Sequence, residues 1–312
     1  MDYRDLPPQP PDSSWRFIDE LKAPLWRAHG WAPRAPRADE ADLRGGFRVD
    51  PALADPEGLL STVYADLVDF ARAGAVPADR GYPLQVRLAR LPDEAFRVEV
   101  RADGAVVEAG GLEGARRALF WVEDAMLRAG GPFLPLGTHE RTPFIKRRIS
   151  RCFFGPIKRP PRLRDELMDD QDYYPENYLN RLAHDGVNGL WLTIEFRDLC
   201  RTSITPDYGQ TAERRLAKLR RTVAACRRYG IRTYVFCIEP RAWTQDDAAI
   251  LERYPELGRG GAAWDNRRMF CPFSDTARRY LTEAVGGLFR AVPHLGGLIN
   301  ISHGERATSC LS

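Results

Sequence analysis

Lysine is nearly missing from this 312-residue chain: only Lys22, Lys146, Lys158 and Lys218 stand among its 46 Lys and Arg residues. With the frequent Ala and Gly, that points to a GC-rich coding bias and to no mechanism. An excess of one charge is missing too, because 46 basic and 43 acidic residues interleave to a formal net charge of +3. Without a basic face, no nucleic-acid partner is expected. The six cysteines, at 152, 200, 226, 237, 271 and 310, form no Cys-x-x-Cys pair and have no His at ligand spacing, which argues against zinc and against a disulfide scaffold. No stretch approaches the apolar length of a bilayer span, so no membrane partner is expected. The opening run Met1 to Pro8 is acidic and proline-rich where a secretory signal is basic and then apolar. These absences predict a soluble, cytoplasmic protein with reduced thiols. With no phosphate-cradling glycine loop and no carboxylate cluster for a divalent ion in the sequence pattern, neither cofactor nor metal is expected.

What is there suits one large or two ordinary globular domains, with 44% hydrophobic and 29% charged residues. Residues 1–55 carry Pro7, Pro8, Pro10, Pro11, Pro24, Pro33, Pro36 and Pro51 with little periodicity, and read as an irregular leader. A helix is expected over 57–73, where Leu59, Leu60, Val63, Leu67, Val68 and Phe70 recur near helical spacing. The alternation in Leu84–Leu88 and Phe96–Val100 predicts half-buried strands. An Asp103-Gly104 turn leads to a third strand, Ala105–Ala109. The helix Leu112–Arg128 places Ala115, Ala118, Leu119, Val122, Ala125 and Met126 on one face and stops at Gly130-Gly131-Pro132. Residues 56–142 are therefore expected to form a small α+β domain.

After Pro143 strands and helices alternate, as in parallel βαβ units. Strands are expected at 148–154, 189–196, 233–238 and 297–302, each a nearly continuous apolar run as required when helices cover a sheet. Helices are expected at 175–184, 212–229, 246–254 and 276–292, with Gly186 and Gly230 at left-handed positions just past two of them. The fold class is α/β: the small domain, then residues 146–312 as about four strands of a (β/α)8 barrel.

In such a barrel the active site lies at the C-terminal strand edge. There the sequence places Arg151 in the first strand, Glu195 and Asp198 after the second, Glu239 after the third, and His303 with Glu305 after the fourth. Three successive strands that end in Glu suit glycosidic cleavage, which needs one carboxylic acid to protonate the leaving oxygen and usually a second carboxylate opposite it. Glu305 is the expected general acid, with capping a helix or pairing with Arg306 as its competing role; His303 would orient Glu305 or bond a sugar hydroxyl, the alternative being a half-buried ring paired with a carbonyl. Arg151, Glu195 and Glu239 are expected to hold sugar hydroxyls, with ion pairs to Arg197 and Arg241 as the alternative for the two acids. Trp243 presents a flat apolar face to a sugar ring, or packs in the core, which is the favoured reading for Trp191. Tyr173, Tyr174 and Trp264 lie in loops where they could line a cleft.

This layout resembles glycoside hydrolase family 20, the β-N-acetylhexosaminidases, and the related α-glucuronidases, over roughly residues 80–312. The run Phe96–Val100 through Gly104, Leu112, Gly114 and Ala115 to Leu127 looks like the strand, turn and helix of their small domain. Arg147-Arg148-Ile149-Ser150-Arg151 looks like their arginine-bearing first barrel strand. Family 20 ends its fourth strand in a Gly-Asp-Glu-like motif, whose Glu is the acid and whose Asp steers the acetamido group of the substrate. Ser302-His303-Gly304-Glu305 matches the Glu but carries Gly304 in place of the Asp. Substrate-assisted cleavage and cleavage with a separate carboxylate both stay open.

A full barrel takes about 250 residues, and far fewer follow Lys146, so the chain is expected to be a fragment of a longer enzyme, with little activity and an unpaired barrel edge that could support a homo-oligomer. The implied partner is a carbohydrate substrate. The rival readings are a non-catalytic carbohydrate-binding or assembly module, and a lyase or isomerase acting on acidic sugars.

Overall fold

The computed structural model describes residues 15–26, 30–153, 164–237, 249–259 and 269–300. In chain order the first part comprises α1 (Arg16–Leu21), β1 (Glu40–Asp42), β2 (Phe47–Ala52), α2 (Ser61–Ala73), β3 (Tyr82–Leu88), β4 (Phe96–Arg101), β5 (Gly104–Ala109), α3 (Leu112–Ala129), β6 (Phe133–Pro135) and β7 (Gly137–Arg141). The second part comprises β8 (Ile149–Arg151), α4 (Glu176–His184), β9 (Gly189–Ile194), α5 (Phe196–Leu199), α6 (Ala212–Arg228), β10 (Arg232–Cys237), α7 (Ala249–Arg253), β11 (Gly258–Arg259), β12 (Met269–Phe270), α8 (Asp275–Ala291) and β13 (Gly297–Asn300).

The first sheet runs β2-β3-β5-β4-β7, with β2, β3 and β5 parallel and β4 antiparallel to both its neighbours. Its period-2 pattern sends Leu84, Val86, Val98, Val100, Ala105 and Val107 into the core, against Leu67 and Phe70 of α2 and Ala115, Leu119 and Val122 of α3. Gly114 lets α3 lie on the sheet: a Cβ there would stand 2.4 Å from the carbonyl oxygen of Ala95. The opposite face is charged. Glu108 takes Arg87 at 2.8 Å and Arg97 at 3.3 Å, and Arg97 reaches Glu140 at 2.5 Å.

Two expectations need correction here. Residues 40–52 are not irregular: β2 is an edge strand of the five-stranded sheet, β1 pairs with β6, and Ile18, Leu43 and Phe47 are fully buried. Pro51 is tolerated because an edge strand needs only half its backbone donors. The β4–β5 hairpin has a two-residue loop, Ala102-Asp103, but neither residue has a positive φ and nor does Gly104. Gly104 is required instead by packing, since its Cβ would meet Pro83 at 2.9 Å.

The second sheet has the order β8-β9-β10-β13, all parallel. Leu190, Leu192, Ile194, Val235 and Cys237 face the helix layer and share a core with Leu179 and Ala183 of α4 and Leu219 and Val223 of α6. Gly186 and Gly230 hold φ of 80° and 71°, as the turns after α4 and α6 require. The first strand is shorter than its apolar run implied, three residues instead of seven. The two sheets are joined through Glu94, which receives Arg148 and Asn188 and lies 3.6 Å from Arg117, while Arg117 also donates to the carbonyl oxygen of Ala183 at 2.7 Å.

Candidate functional site

The expected site lies where the four parallel strands end. Register places Arg151 beside Trp191 and Cys237 between Ile194 and Asn300, so the strand ends are aligned. The sheet face turned away from the helices carries Ile149, Arg151, Trp191, Thr193, Tyr234, Phe236 and Ile299, because residues in register on parallel neighbours share a face. Trp191 meets Phe236 edge-to-face at 4.2 Å between centroids and 75° between planes. The Arg151 guanidinium lies 5.9 Å from the Trp191 ring centroid. That face is aromatic and half-buried, and among the described residues it presents Arg151 at the strand ends.

Glu195 follows β9 directly and accepts from Nε and Nη2 of Arg197 at 2.8 and 2.6 Å. The pair is mostly shielded from solvent, so the carboxylate is fixed in orientation. The loop after β9 is tied down by Glu283, which takes the Ser203 backbone and hydroxyl at 2.7 Å each; these bonds hold its carboxyl below the usual range. Asp207 in the same loop receives the Tyr254 hydroxyl at 2.8 Å.

Glu239, Trp243, His303 and Glu305 lie outside the described residues, as does Trp264. Tyr173 and Tyr174 do not line a cleft. They are 1% and 5% exposed, and their hydroxyls donate to Asp169 at 2.7 Å and Glu166 at 2.5 Å. The reason is an aromatic knot, in which Tyr174 and Tyr178 pack on Phe153 just past β8 and Trp15 and Phe17 of the leader pack on Tyr173. Glu166, buried beside Cys152, escaped the sequence reading because it lies in a loop with no periodicity. Burial and the Glu166 charge push the Cys152 thiol up, so it is not a nucleophile at neutral pH.

A second cluster sits between helices on the other side of the molecule. Asp66 of α2, Glu123 of α3 and His184 of α4 bring one ligand atom each within 4.8 Å of one another, although no metal was expected. His184 Nε2 is 2.6 Å from Asp66 Oδ2 and 3.6 Å from Glu123 Oε2. Glu123 is fully buried, neither of its carboxyl oxygens has a hydrogen-bond partner, and burial with nearby Asp66 raises it well above the usual carboxylate range. Nothing in sequence spacing marks these residues, since each comes from a different helix.

No protein-family model and no curated protein matches the sequence. Solved structures do resemble the fold. A chitobiase of family 20 from Flavobacterium johnsoniae superposes with a TM-score of 0.56 at 15% identity, over 90% of this chain and 44% of that one. The family 20 β-N-acetylhexosaminidase of Streptomyces coelicolor A3(2) gives 0.53 at 19% identity, over 83% and 56%. A family 138 enzyme targeting pectin rhamnogalacturonan II gives 0.56 at 12% identity, over 81% and 30%. The chain thus has a family 20-like mixed α/β fold and spans less than two thirds of the length of each of these structures.

Proposed function

We propose that this chain is the front part of a carbohydrate-active hydrolase that cleaves O-glycosidic bonds, with residues 56–142 as its small domain and 146–312 as the first strands of a (β/α)8 barrel. The observation that carries this reading is the sequential, all-parallel sheet β8-β9-β10-β13, whose aligned C-terminal ends lead to Arg151, Glu195, Glu239 and Glu305. In this fold class substrates are met at that edge. Glu305 acts as general acid on the glycosidic oxygen, with His303 orienting it. Arg151 and Glu239 hold hydroxyls of the sugar, and Trp243 supports its ring. Glu195 fits a positioning role, because Arg197 holds it in a fixed orientation. Gly304 in place of an Asp leaves the leaving-group acid without the acetamido-steering partner, so a sugar lacking an N-acetyl group is accommodated equally well.

Glycoside hydrolase folds among the structural neighbours support the reaction class, and the sugar is open. The test is release of aryl alcohol from a panel of aryl glycosides by the wild type and by Glu305→Gln. Hydrolysis is expected to be slow in this chain and to fall by about 10²–10⁴-fold in the variant, the usual contribution of a positioned acid. An unchanged rate in Glu305→Gln would refute its role. The closed Glu195–Arg197 pair favours a second reading, a carbohydrate-binding or assembly module, for which sugar binding survives the substitution and no product ever appears.

A further inference from the structure

We propose that Asp66, Glu123 and His184 form a zinc-class metal site that pins α4 to α2 and α3. The site goes beyond the glycosidase reading and does not depend on it. His184 ends α4 and therefore sits at the edge of the parallel sheet where β9 begins, opposite the strand ends that lead to Glu305.

Three independent features converge there. Glu123 is a carboxylic acid at 0% exposure with both oxygens unpartnered, a state that buried polar groups avoid unless something absent from the polypeptide satisfies them. Its Oε2 already stands 3.6 Å from His184 Nε2, close to the roughly 3.3 Å between neighbouring ligand atoms on a tetrahedral ion with bonds of about 2.0–2.1 Å. The surrounding groups are arranged as an outer shell. Trp26 Nε1 and Asn180 Nδ2 both donate to Asp66 Oδ1, at 2.9 and 2.6 Å, which turns Oδ2 toward the histidine. The imidazole is held between the Phe120 ring at 3.8 Å and the Trp26 ring at 5.2 Å.

Charge balance gives the same answer. Two carboxylates and a neutral imidazole around a divalent cation sum to zero, which makes burial tolerable, whereas the three side chains alone leave a buried acid uncompensated. Glu123 supplies two oxygens and can complete four-coordination together with Asp66 Oδ2 and His184 Nε2. Binding the ion releases two protons to solvent, one from the Glu123 carboxyl and one from the hydrogen bond between His184 and Asp66, and the 2.6 Å His184–Asp66 contact opens to ligand spacing. Softer thiolate chemistry has no part in this, because all three donors are nitrogen or oxygen, a set that suits zinc and cobalt.

The experiment uses the full chain, stripped with a chelator and titrated with zinc, and with cobalt as a spectroscopic probe. One equivalent of zinc should bind, the unfolding midpoint should rise, and the cobalt form should show the visible bands of a four-coordinate site without the near-ultraviolet thiolate band. Glu123→Gln is isosteric, and His184→Gln keeps a donor toward Asp66 in place of Nε2. Both should fold, as read by circular dichroism. Each should weaken zinc by more than the roughly 10–100-fold that loss of an outer-shell partner costs. Failure of the wild type to bind either ion overturns the proposal, as does zinc binding unchanged in both variants or a cobalt spectrum with a thiolate band.

Discussion

Each sheet has one face sealed by helices, and they differ in the other. The five-stranded sheet turns Arg87, Arg97, Glu108 and Glu140 outward, paired across strands, with Glu99 paired to Arg101 of its own strand. The parallel sheet turns out Trp191, Tyr234, Phe236 and Ile299, with Arg151 over the indole. The first face is finished for water. The second has the composition of a surface that meets another layer or a ligand. Strand alternation alone produces either kind; what differs is the chemistry placed on the outward residues.

The comparison rests on the sealed faces being equivalent. Leu84→Ala in the first sheet and Leu192→Ala in the second should each cost about 3 kcal/mol in urea unfolding, since both side chains are essentially buried. A cost in one sheet several times that in the other would break the equivalence. Trp191→Ala tests the open aromatic face and should cost about 2 kcal/mol, less than a fully buried indole, because Phe236 loses its edge-to-face partner.

Acid sensitivity distinguishes the first region further. Glu40 accepts from Arg34 at 2.6 and 2.7 Å and from the Arg37 backbone at 2.8 Å, and these bonds lower its carboxyl to about 2. A carboxyl depressed on folding contributes stability that is complete above its ordinary range near 4.5 and is lost as pH falls toward 2. Glu40→Gln should therefore flatten the stability profile between those limits and lower stability at pH 7. The smallest effect belongs to the charged face. A double-mutant cycle on Arg87 and Glu108, whose side chains are 56% and 23% exposed, should return about 0.2–1 kcal/mol and shrink in salt.

The parts of the fold that sequence exposed were those with strong local period. The helix Leu112–Ala129 and the strands β9 and β10 emerge within a residue or two of their expected limits, because apolar spacing there is uninterrupted. Residues 40–52 were hidden because Pro51 and two glycines mask a strand that exists only through its partner β3. The candidate site divides the same way. Arg151 and Glu195 stand at the strand ends as their positions implied, and the ion pair of Glu195 with Arg197, two residues on, is the alternative the sequence offered; the burial of Tyr173 and Tyr174 instead depends on contacts between distant segments. The Asp66–Glu123–His184 cluster had no signal to find, being assembled only when three helices pack.

The connectivity of the five-stranded sheet also orders its assembly in time. The β4–β5 pair closes over two residues and α3 follows immediately, so this unit can form before any distant pairing has been made. By contrast β2 joins β3 only across α2, and β7 must return to β4 from beyond α3. Loop closure is slower for such non-local partners. The hairpin and its helix should therefore gain amide protection first during refolding, acting as the template onto which both outer strands are added.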